Sequence, residues 1–301
     1  MVSHIWRAAL LTTLLLTAGC GTLCTDSRYA QNDTTTFEVK ARDIDQTYLL
    51  YVSLPRNYEK REAERFPVVV LLDAEYSFAM TRNLIRFLTD RGQAEEAIIV
   101  GVAYPGASES MDTYHRTRTR DYTPSFTLEN GYGPEIQKLS GGGPAFLNRL
   151  ADTILPEVDR RYRTMPDDRM LVGNSFGGVF ATYALLHRPD LFHRYLIVSP
   201  SLWYDNRMIF AEAKKFITEH RSLPVKVFWS VGGEENQPPP EGSPMVDYLV
   251  EFAALMKDAK LDGYESTVMV FPDETHYSVF PAALLRGLRV LYDYKGEKPP
   301  H

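Results

Sequence analysis

Six short apolar runs constrain the fold of this chain more than any other feature of its sequence. Apart from Lys226, the runs contain no charged residue, as is typical of strands that are buried on both faces of a sheet. The runs occupy residues 68–72, 98–102, 170–172, 195–198, 225–229 and 268–271. Most are separated by segments with helical periodicity, which occupy residues 79–90, 143–162, 177–188, 207–220, 244–260 and 280–293. This alternation predicts an α/β fold with a mostly parallel central sheet and helices on both faces.

Two further strand-like segments, residues 37–40 and 48–52, precede these runs and lie close enough in the chain to pair as a hairpin. The sequence has no internal repeat and no Pro/Gly-rich linker between residues 36 and 295, so we predict one domain there. With 44% hydrophobic residues among 301, the chain can bury a full core. Its formal net charge of −6 does not suit a nucleic-acid binder, which usually has a basic face.

The N-terminal residues have the composition of an export signal. Arg7 precedes an apolar run at residues 8–16, which is too short to span a bilayer comfortably. Two small residues then precede Cys20, as in the bacterial lipobox, where the cysteine is acylated and becomes the new N-terminus. We therefore expect residues 1–20 to be a lipoprotein signal peptide and Cys20 to carry the lipid. An ordinary signal peptide that is cleaved nearby is the alternative.

A lipid anchor predicts where the protein resides. It would attach the chain to a membrane, facing the periplasm or the cell surface, and Gly21 after the cysteine favours the outer membrane. Residues 21–35 are rich in Thr, Asp, Ser and Asn and predict a flexible tether. The sequence has no cysteine besides Cys20 and Cys24, so neither a disulfide nor a cysteine-ligated metal is expected in the folded domain, residues 36–295. The sequence indicates no particular oligomeric state.

Two stretches lack regular periodicity. Residues 104–141 predict a long irregular loop, and residues 237–242 predict a second, Pro-rich loop. Loops as long as the first are usually functional or disordered. The first stretch carries a basic segment with Arg116, Arg118 and Arg120, which are candidates to contact an anionic substrate. The interpretation that we favour is a solvent-exposed face or a set of partners for loop carboxylates.

The motif G-x-S-x-G at residues 173–177 indicates the chemistry of the chain. It directly follows an apolar run and directly precedes an apolar helical segment, a context typical of a nucleophile elbow. Gly173 and Gly177 provide the lack of bulk that this tight turn requires, and Ser175 is expected to have strained backbone angles and an exposed hydroxyl. The N-terminus of the following helix supplies N–H groups and a partial positive charge for an oxyanion. We predict Ser175 as a nucleophile.

A serine nucleophile needs a base, and in this kind of fold the chain order is serine, acid, histidine. Only His276 follows the last apolar run and lies in a polar loop, where the base belongs. The other histidines lie near the termini, in the stretch 104–141 or near helical segments; they are His4, His115, His187, His193, His220 and His301. We predict His276 as the general base and allow His115 only a role on the substrate side.

The acid that orients this histidine should lie in the loop after the run that begins at residue 225. Glu234 and Glu235 are both in that loop, and their spacing does not separate them. We prefer Glu235, keep Glu234 as the alternative, and place Asp273, three residues before His276, third.

An oxyanion requires two hydrogen-bond donors. The backbone N–H of Phe176, directly after the nucleophile, is the predicted first donor. The second is expected from the loop after residues 68–72, where Ala74 and Glu75 are the candidates. Because a backbone N–H is involved, the identity of the side chain hardly constrains this choice.

Over residues 40–293 the chain resembles the putative-esterase family of α/β hydrolases, which includes trilactone siderophore esterases of the enterobactin-esterase kind. The resemblance rests on residues 66–73, 120–124, 142–146, 154–158, 161–164, 173–178, 199–203, 232–235 and 276–281. There is one departure. The family often has Asp-Gly after the early strand, whereas this chain has Asp73-Ala74, which weakens the assignment of the oxyanion loop.

The resemblance implies an α/β-hydrolase fold and a serine carboxylic-ester hydrolase that forms an acyl-enzyme on a siderophore ester or another small ester. It also implies that Trp203 borders the cleft, and we expect Tyr76 and Arg120 to contact the substrate as well. No metal or organic cofactor is needed for this reaction. The alternatives are an acyltransferase on the same fold and a non-catalytic cell-surface binding protein, and the ordered Ser, acidic and His residues argue against the second.

Overall fold

The computed structural model describes residues 34–237 and 242–293. The described residues belong to one compact unit. The predicted signal peptide with Cys20, residues 21–33 of the predicted tether and residues 238–241 of the second loop lie outside the described residues, so these assignments stay predictions. The last two residues of the predicted tether belong to the first strand instead.

The apolar runs form the strands of one sheet. The described residues contain eight strands: β1 Thr34–Lys40, β2 Thr47–Ser53, β3 Phe66–Leu71, β4 Ile98–Ala103, β5 Thr164–Asn174, β6 Arg194–Val198, β7 Lys226–Gly232 and β8 Glu265–Phe271. Their order across the sheet is β1-β2-β4-β3-β5-β6-β7-β8. Every residue of β3 and β4 is buried, as expected for central strands that are covered on both faces.

The first two strands differ from the others in direction. β1 pairs with β2 as the predicted antiparallel hairpin, with Phe37 opposite Leu50, and β2 is antiparallel to β4. From β4 to β8 all neighbouring strands are parallel, and each connection between them contains a helix. The carboxyl ends of these strands therefore lie along one edge of the sheet.

Helices cover both faces of the sheet. They are α1 Ala74–Thr89, α2 Met111–Tyr122, α3 Pro134–Gln137, α4 Gly143–Arg149, α5 Leu155–Arg161, α6 Phe176–His187, α7 Tyr204–Glu219, α8 Met245–Asp258 and α9 Val279–Leu291. Val69 of β3 packs in one apolar cluster with residues of α1 and α9, and the adjacent Val68 packs in a second cluster with residues of α6, α7 and α8. Successive strand residues point to opposite faces, so the two clusters lie on the two sides of the sheet. The predicted α/β architecture is confirmed.

The prediction that residues 104–141 form an irregular loop is wrong in part, because this stretch contains α2 and α3. Ser110 caps the start of α2 by accepting a hydrogen bond from the Thr113 N–H at 3.2 Å. The helix buries polar residues, among them Arg118 and Asp121, in place of an apolar stripe. Hydrophobic periodicity therefore gives no signal for it.

The predicted helix at residues 143–162 is present but not continuous. A π-helical turn, Leu150–Ile154, joins α4 to α5, and the chain becomes extended at Tyr162. Across residues 34–237 and 242–293, no helix has both the length and the apolar character needed to cross a membrane.

Candidate active site

Three loops at the carboxyl edge of the sheet carry the predicted catalytic side chains. Ser175 follows β5, Glu235 follows β7 and His276 follows β8. Ligand sites of open α/β sheets form at this edge, because neighbouring parallel strands all end there. The structure joins the three side chains in one chain of hydrogen bonds.

Ser175 lies in a tight turn between β5 and α6. Its φ of 59° and ψ of −117° form a backbone conformation that L residues rarely adopt. A Cβ atom at Gly173 would lie 2.2 Å from the carbonyl oxygen of Gly177, so glycine is required for the strand and the helix to approach so closely. The Ser175 N–H donates to the carbonyl of Val198 at 3.0 Å, which ties the turn to β6.

His276 connects Ser175 to Glu235. Its Nε2 lies 3.0 Å from Ser175 Oγ, and its Nδ1 lies 2.6 Å from Glu235 Oε2. In the tautomer that donates from Nδ1 to the carboxylate, Nε2 has a lone pair directed at the serine hydroxyl. The His276 side chain is 31% exposed and that of Glu235 is 2% exposed, so the imidazole borders the cleft while the acid is shielded from water.

The structure separates the three candidates for the acid. Glu235 is buried, whereas Glu234 and Asp273 are exposed. The two glutamates lie in a 3₁₀ turn, in which successive residues point about 120° apart, so only one of them can face the histidine. The residue that contacts His276 is Glu235, the preferred candidate.

The second oxygen of the Glu235 carboxylate is held by two donors that the sequence did not indicate. Oε1 accepts a hydrogen bond from Ser199 Oγ at 2.6 Å and another from the Gly232 N–H at 2.7 Å. A Cβ atom at Gly232 would lie 2.2 Å from the carbonyl oxygen of Glu274, so glycine also lets the loop that carries His276 pack against this turn.

The predicted oxyanion donors have different positions. Phe176 begins α6 and lines the same cleft as Ser175, and N–H groups at a helix N-terminus have no intrahelical partner. Ala74 and Glu75 begin α1, and neither is among the described residues that line the cleft. The Glu75 carboxylate accepts a hydrogen bond from the Tyr104 N–H at 2.7 Å, and burial raises its pKa to about 7. The second donor stays a prediction.

Ser175 and His276 open into a cleft of about 740 Å³. Its lining is mainly aromatic and includes Trp203 and Tyr76, whose contact with a substrate stays a prediction. The other lining residues that the structure describes are Met111, Tyr114, His115, Arg118, Gly131, Tyr132, Asn174, Phe176, Tyr277 and Phe280. A cleft of this size and character suits a small organic molecule. Over the described ranges, no three His, Cys, Asp or Glu side chains are grouped so as to hold a metal ion.

Arg118 forms a buried ion pair in the wall of this cleft. Its Nε and Nη2 each donate to the carboxylate of Asp73 at 3.0 Å, and the two side chains are only 5% and 11% exposed. Nη2 also lies 3.4 Å from the carbonyl oxygen of Asn174, and Nη1 contacts the Tyr132 hydroxyl. The pair therefore connects α2 both to the turn before α1 and to the nucleophile turn. For the basic segment with Arg116, Arg118 and Arg120, the sequence favours exposure to solvent or pairing with loop carboxylates, and Arg118 pairs with one.

The structure corrects the prediction that Arg120 contacts the substrate. Its guanidinium donates to Asp121 at 2.7 and 2.8 Å and to Gln46 at 2.6 Å, and it is not among the described residues of the cleft. Residues two apart on a helix point about 200° away from each other, so Arg118 and Arg120 cannot face the same cleft. Arg116 is exposed and pairs with Asp112 at 2.7 Å.

His115 also lines the cleft. The sequence allows this residue a role on the substrate side only. Its ring stacks on that of Tyr132, with centroids 3.8 Å apart. Burial and the nearby Arg118 charge lower its pKa, so the imidazole is neutral near pH 7. One signal for this wall was present in the sequence: Tyr114 and Arg118 are four residues apart, the spacing of one helix face.

The chain is similar to several known proteins in sequence and in fold. The family model described as "Putative esterase" matches residues 41–290. The chain is 26% identical to the ferri-bacillibactin esterase BesA of Bacillus subtilis, over 83% of this chain and 86% of that protein. It is 30% identical to the siderophore triacetylfusarinine C esterase of Aspergillus fumigatus, over 83% of this chain and 90% of that protein. The structure of an IroE-like serine hydrolase from Shewanella oneidensis is similar with a TM-score of 0.76 and 28% identity, covering 86% of this chain and 80% of that one.

Proposed function

This chain belongs to the Esterase family and is an ester hydrolase, and we propose that it cleaves siderophore esters with Ser175 as the nucleophile. In this proposal His276 is the general base and Glu235 orients it. The observation that carries these roles is the hydrogen-bond chain from Glu235 through His276 to Ser175, with distances of 2.6 and 3.0 Å. The three residues come from three separate loops, so local sequence does not by itself explain their alignment.

The geometry supports acyl transfer in two steps. Nε2 of His276 takes the proton from Ser175 Oγ while Oγ attacks the ester carbonyl carbon, and the Phe176 N–H donates to the oxyanion that forms. The imidazolium, stabilised by Glu235, then gives its proton to the alcohol oxygen as the carbon–oxygen bond breaks. A water that is deprotonated by His276 attacks the acyl-enzyme, which releases the acid and regenerates the serine.

The substrate class is supported by the relatives and by the cleft. Two similar proteins are named as siderophore esterases. In the cleft, the ring of Phe176 lies 5.4 Å from that of Tyr132 and 6.0 Å from that of Trp203, so adjoining aromatic walls stand beside the nucleophile. Aromatic contacts of this kind contribute about 0.5–1.5 kcal/mol each beyond area burial. A cleft of about 740 Å³ accommodates one arm of a large ester, and the remainder lies outside it.

The first test is hydrolysis of iron-free and iron-loaded siderophore esters by the wild type and Ser175→Ala, with products identified by mass spectrometry. We expect each cleaved ester bond to add the mass of one water, and the rate to fall about 10³-fold or more in Ser175→Ala. p-Nitrophenyl esters serve as the reference substrate. If the wild type cleaves p-nitrophenyl esters and no siderophore ester, the substrate assignment is wrong. If Ser175→Ala keeps most of the wild-type rate, the nucleophile assignment is wrong.

The proposed place of action rests on the N-terminal sequence. We propose that Cys20 carries a lipid that anchors the enzyme to the outer membrane, facing the periplasm or the cell surface, because the residues before it resemble a lipobox. Metabolic labelling with a tagged fatty acid in a bacterial host tests this. The wild type should be labelled and sediment with membranes, whereas Cys20→Ala should lose the label. Equal labelling of both proteins, or of neither, would contradict the proposal.

A further inference from the structure

Ser199 is a buried polar residue at the end of β6. It is fully shielded from solvent and has a φ of 41°, a left-handed conformation that is uncommon for a residue other than glycine. Its N–H donates to the carbonyl of Ser230 in β7 at 2.7 Å. Its hydroxyl points to the acid of the catalytic site and donates to Glu235 Oε1 at 2.6 Å. Strained backbone of this kind is retained where the surrounding structure requires it, often at functional sites.

We propose that Ser199 is a positioning residue, which acts through Glu235 to hold the carboxylate in the orientation that His276 requires. The inference rests on the proposed function of the site. The carboxylate is buried and has three hydrogen-bond donors: the imidazole on Oε2, and the Ser199 hydroxyl and the Gly232 N–H on Oε1. A carboxylate that is shielded from water needs such donors in place of the water that it loses.

The two donors on Oε1 determine the rotation of the carboxylate. The Gly232 N–H belongs to the same turn as Glu235 and moves with it. The Ser199 hydroxyl comes from another strand, so it fixes the acid relative to the rest of the sheet. Without it, Oε1 is held only by the Gly232 N–H of its own turn, and Oε2 is less firmly fixed toward Nδ1 of His276.

The segment that contains Ser199 also contacts the nucleophile. The Val198 carbonyl accepts from the Ser175 N–H at 3.0 Å, and the Ser201 N–H donates to the Ser175 carbonyl at 3.1 Å. Residues 198–201 therefore hold the backbone of the nucleophile on one side and the acid on the other. The left-handed conformation of Ser199 lies between these contacts.

Two substitutions separate the hydroxyl from the backbone. Ser199→Ala removes the hydroxyl and leaves the positive φ strained, whereas Ser199→Gly removes the hydroxyl and relieves that strain. Ser230→Ala is the matched control, because Ser230 is equally buried in the adjacent strand and its hydroxyl donates to the Ile197 carbonyl, away from the catalytic residues. All variants are compared with the wild type by urea unfolding before their kinetics are measured.

We expect kcat for p-nitrophenyl esters to fall about 10-fold to 100-fold in both Ser199 variants, the range expected when one hydrogen bond to a charged group is lost. KM should remain within about twofold, because Ser199 does not line the cleft. The downfield proton resonance of the His276 Nδ1–H should shift or broaden in both Ser199 variants. Ser230→Ala should retain the kinetics and the resonance of the wild type.

The outcomes are distinct. If both Ser199 variants retain the wild-type kcat, or if Ser230→Ala loses as much as they do, the positioning role is overturned. If only Ser199→Ala loses activity, the backbone rather than the hydroxyl is responsible, and the proposal is again wrong. If the wild type itself forms no adduct with a serine-reactive phosphonate, the proposed function fails. In that case the His276 Nδ1–H resonance, whose measurement needs no turnover, still shows whether Ser199 positions Glu235 against His276.

Discussion

The two sides of the cleft are built in different ways. The strand side consists of short loops after parallel strands and carries the Glu235–His276 pair. The helix side consists of α2 and the chain that follows it, and carries Arg118, which pairs with Asp73 in the turn between β3 and α1. Each pair joins a well-buried carboxylate to a nitrogen-containing side chain, an imidazole or a guanidinium, from a distant part of the sequence.

The pairs differ in what remains available to a substrate. His276 is 31% exposed, and the nitrogen that does not face Glu235 is directed at the nucleophile. Arg118 is only 5% exposed and uses its guanidinium on Asp73, Tyr132 and the Asn174 carbonyl. In the proposed mechanism the buried carboxylate and its partner on the strand side serve catalysis, whereas the pair on the helix side joins structural elements. Substitutions on the first side should lower turnover, and those on the second should lower stability.

The largest effect is expected from His276→Ala. Removing the general base should lower kcat about 10⁴-fold or more, while the free energy of unfolding changes by less than about 1 kcal/mol, because the ring is partly exposed. Ester hydrolysis and urea unfolding measure the two quantities. His187→Ala is the control, since His187 pairs with Glu212 at 3.3 Å at the far end of α6 and should leave kcat unchanged. If the His276→Ala protein keeps more than a tenth of the normal rate, the catalytic role of the strand side is wrong.

Glu235→Gln should have the next largest effect. It keeps the size of the side chain but removes the negative charge that orients the imidazole, so we expect kcat to fall about 10³-fold. Glu234→Gln tests the neighbouring carboxylate, which is exposed, and should leave kcat within about twofold of the wild type. Kinetics of the two variants on one p-nitrophenyl ester decide between them. The reverse order would show that Glu234 is the acid.

Arg118→Met tests the helix side. Removing one partner of a buried ion pair leaves Asp73 uncompensated, so the free energy of unfolding should fall by about 3 kcal/mol. Arg116→Met removes an exposed pair on the same helix and should change it by less than about 0.5 kcal/mol. Adding Asp73→Asn to Arg118→Met should restore part of the loss, since asparagine tolerates the φ of 53° at this position. Equal losses in the two single variants would show that the buried pair has no special role.

Glu75 is a third buried carboxylate, and it differs from Glu235 and Asp73 in its partner. The hydrogen bond that it accepts comes from a backbone N–H and not from a histidine or arginine side chain. Burial raises its pKa from 4.5 to about 7 in the folded protein. Between these two pH values the folded state binds more protons than the unfolded state, so the free energy of unfolding falls as the pH rises through this window. Glu75→Gln removes this dependence and should be about 3 kcal/mol more stable than the wild type at pH 8 and equally stable at pH 4.

Urea unfolding at several pH values measures this difference. Glu59→Gln, at an exposed position, is the control and should give the same difference from the wild type at every pH. A Glu75→Gln difference that does not change between pH 4 and pH 8 would contradict the assignment of a raised pKa to this carboxyl.

The strand side could be predicted from the sequence because its signals are local. A buried parallel strand is a continuous apolar run, and G-x-S-x-G after such a run indicates a tight turn, so Ser175 and His276 were located by context and chain order. The choice between Glu234 and Glu235 needed the geometry of the 3₁₀ turn. Ser199 lies in the segment 199–203, on which the family resemblance rests, but the direction of its hydroxyl depends on the backbone angle φ of this residue.

The helix side could not be predicted in the same way. α2 buries Arg118, Thr119 and Asp121, so its inner face lacks the hydrophobic period from which helices are recognised. A buried arginine is stable only where a distant residue, here Asp73, supplies the opposite charge. The residues near Arg118 in the sequence do not indicate that Asp73 is its partner.

The sequence by itself determined the fold class, the strands and the positions of Ser175 and His276, because these depend on apolar periodicity, on turn chemistry within a few residues and on chain order. Only the tertiary structure decided which glutamate contacts His276, which arginine faces the cleft and which serine donates a hydrogen bond to Glu235. Those choices depend on contacts between groups that are 36 to 45 residues apart in the chain, as in Ser199–Glu235, Glu235–His276 and Asp73–Arg118. The energy of such contacts arises from burial and pairing after folding, so no local pattern encodes it.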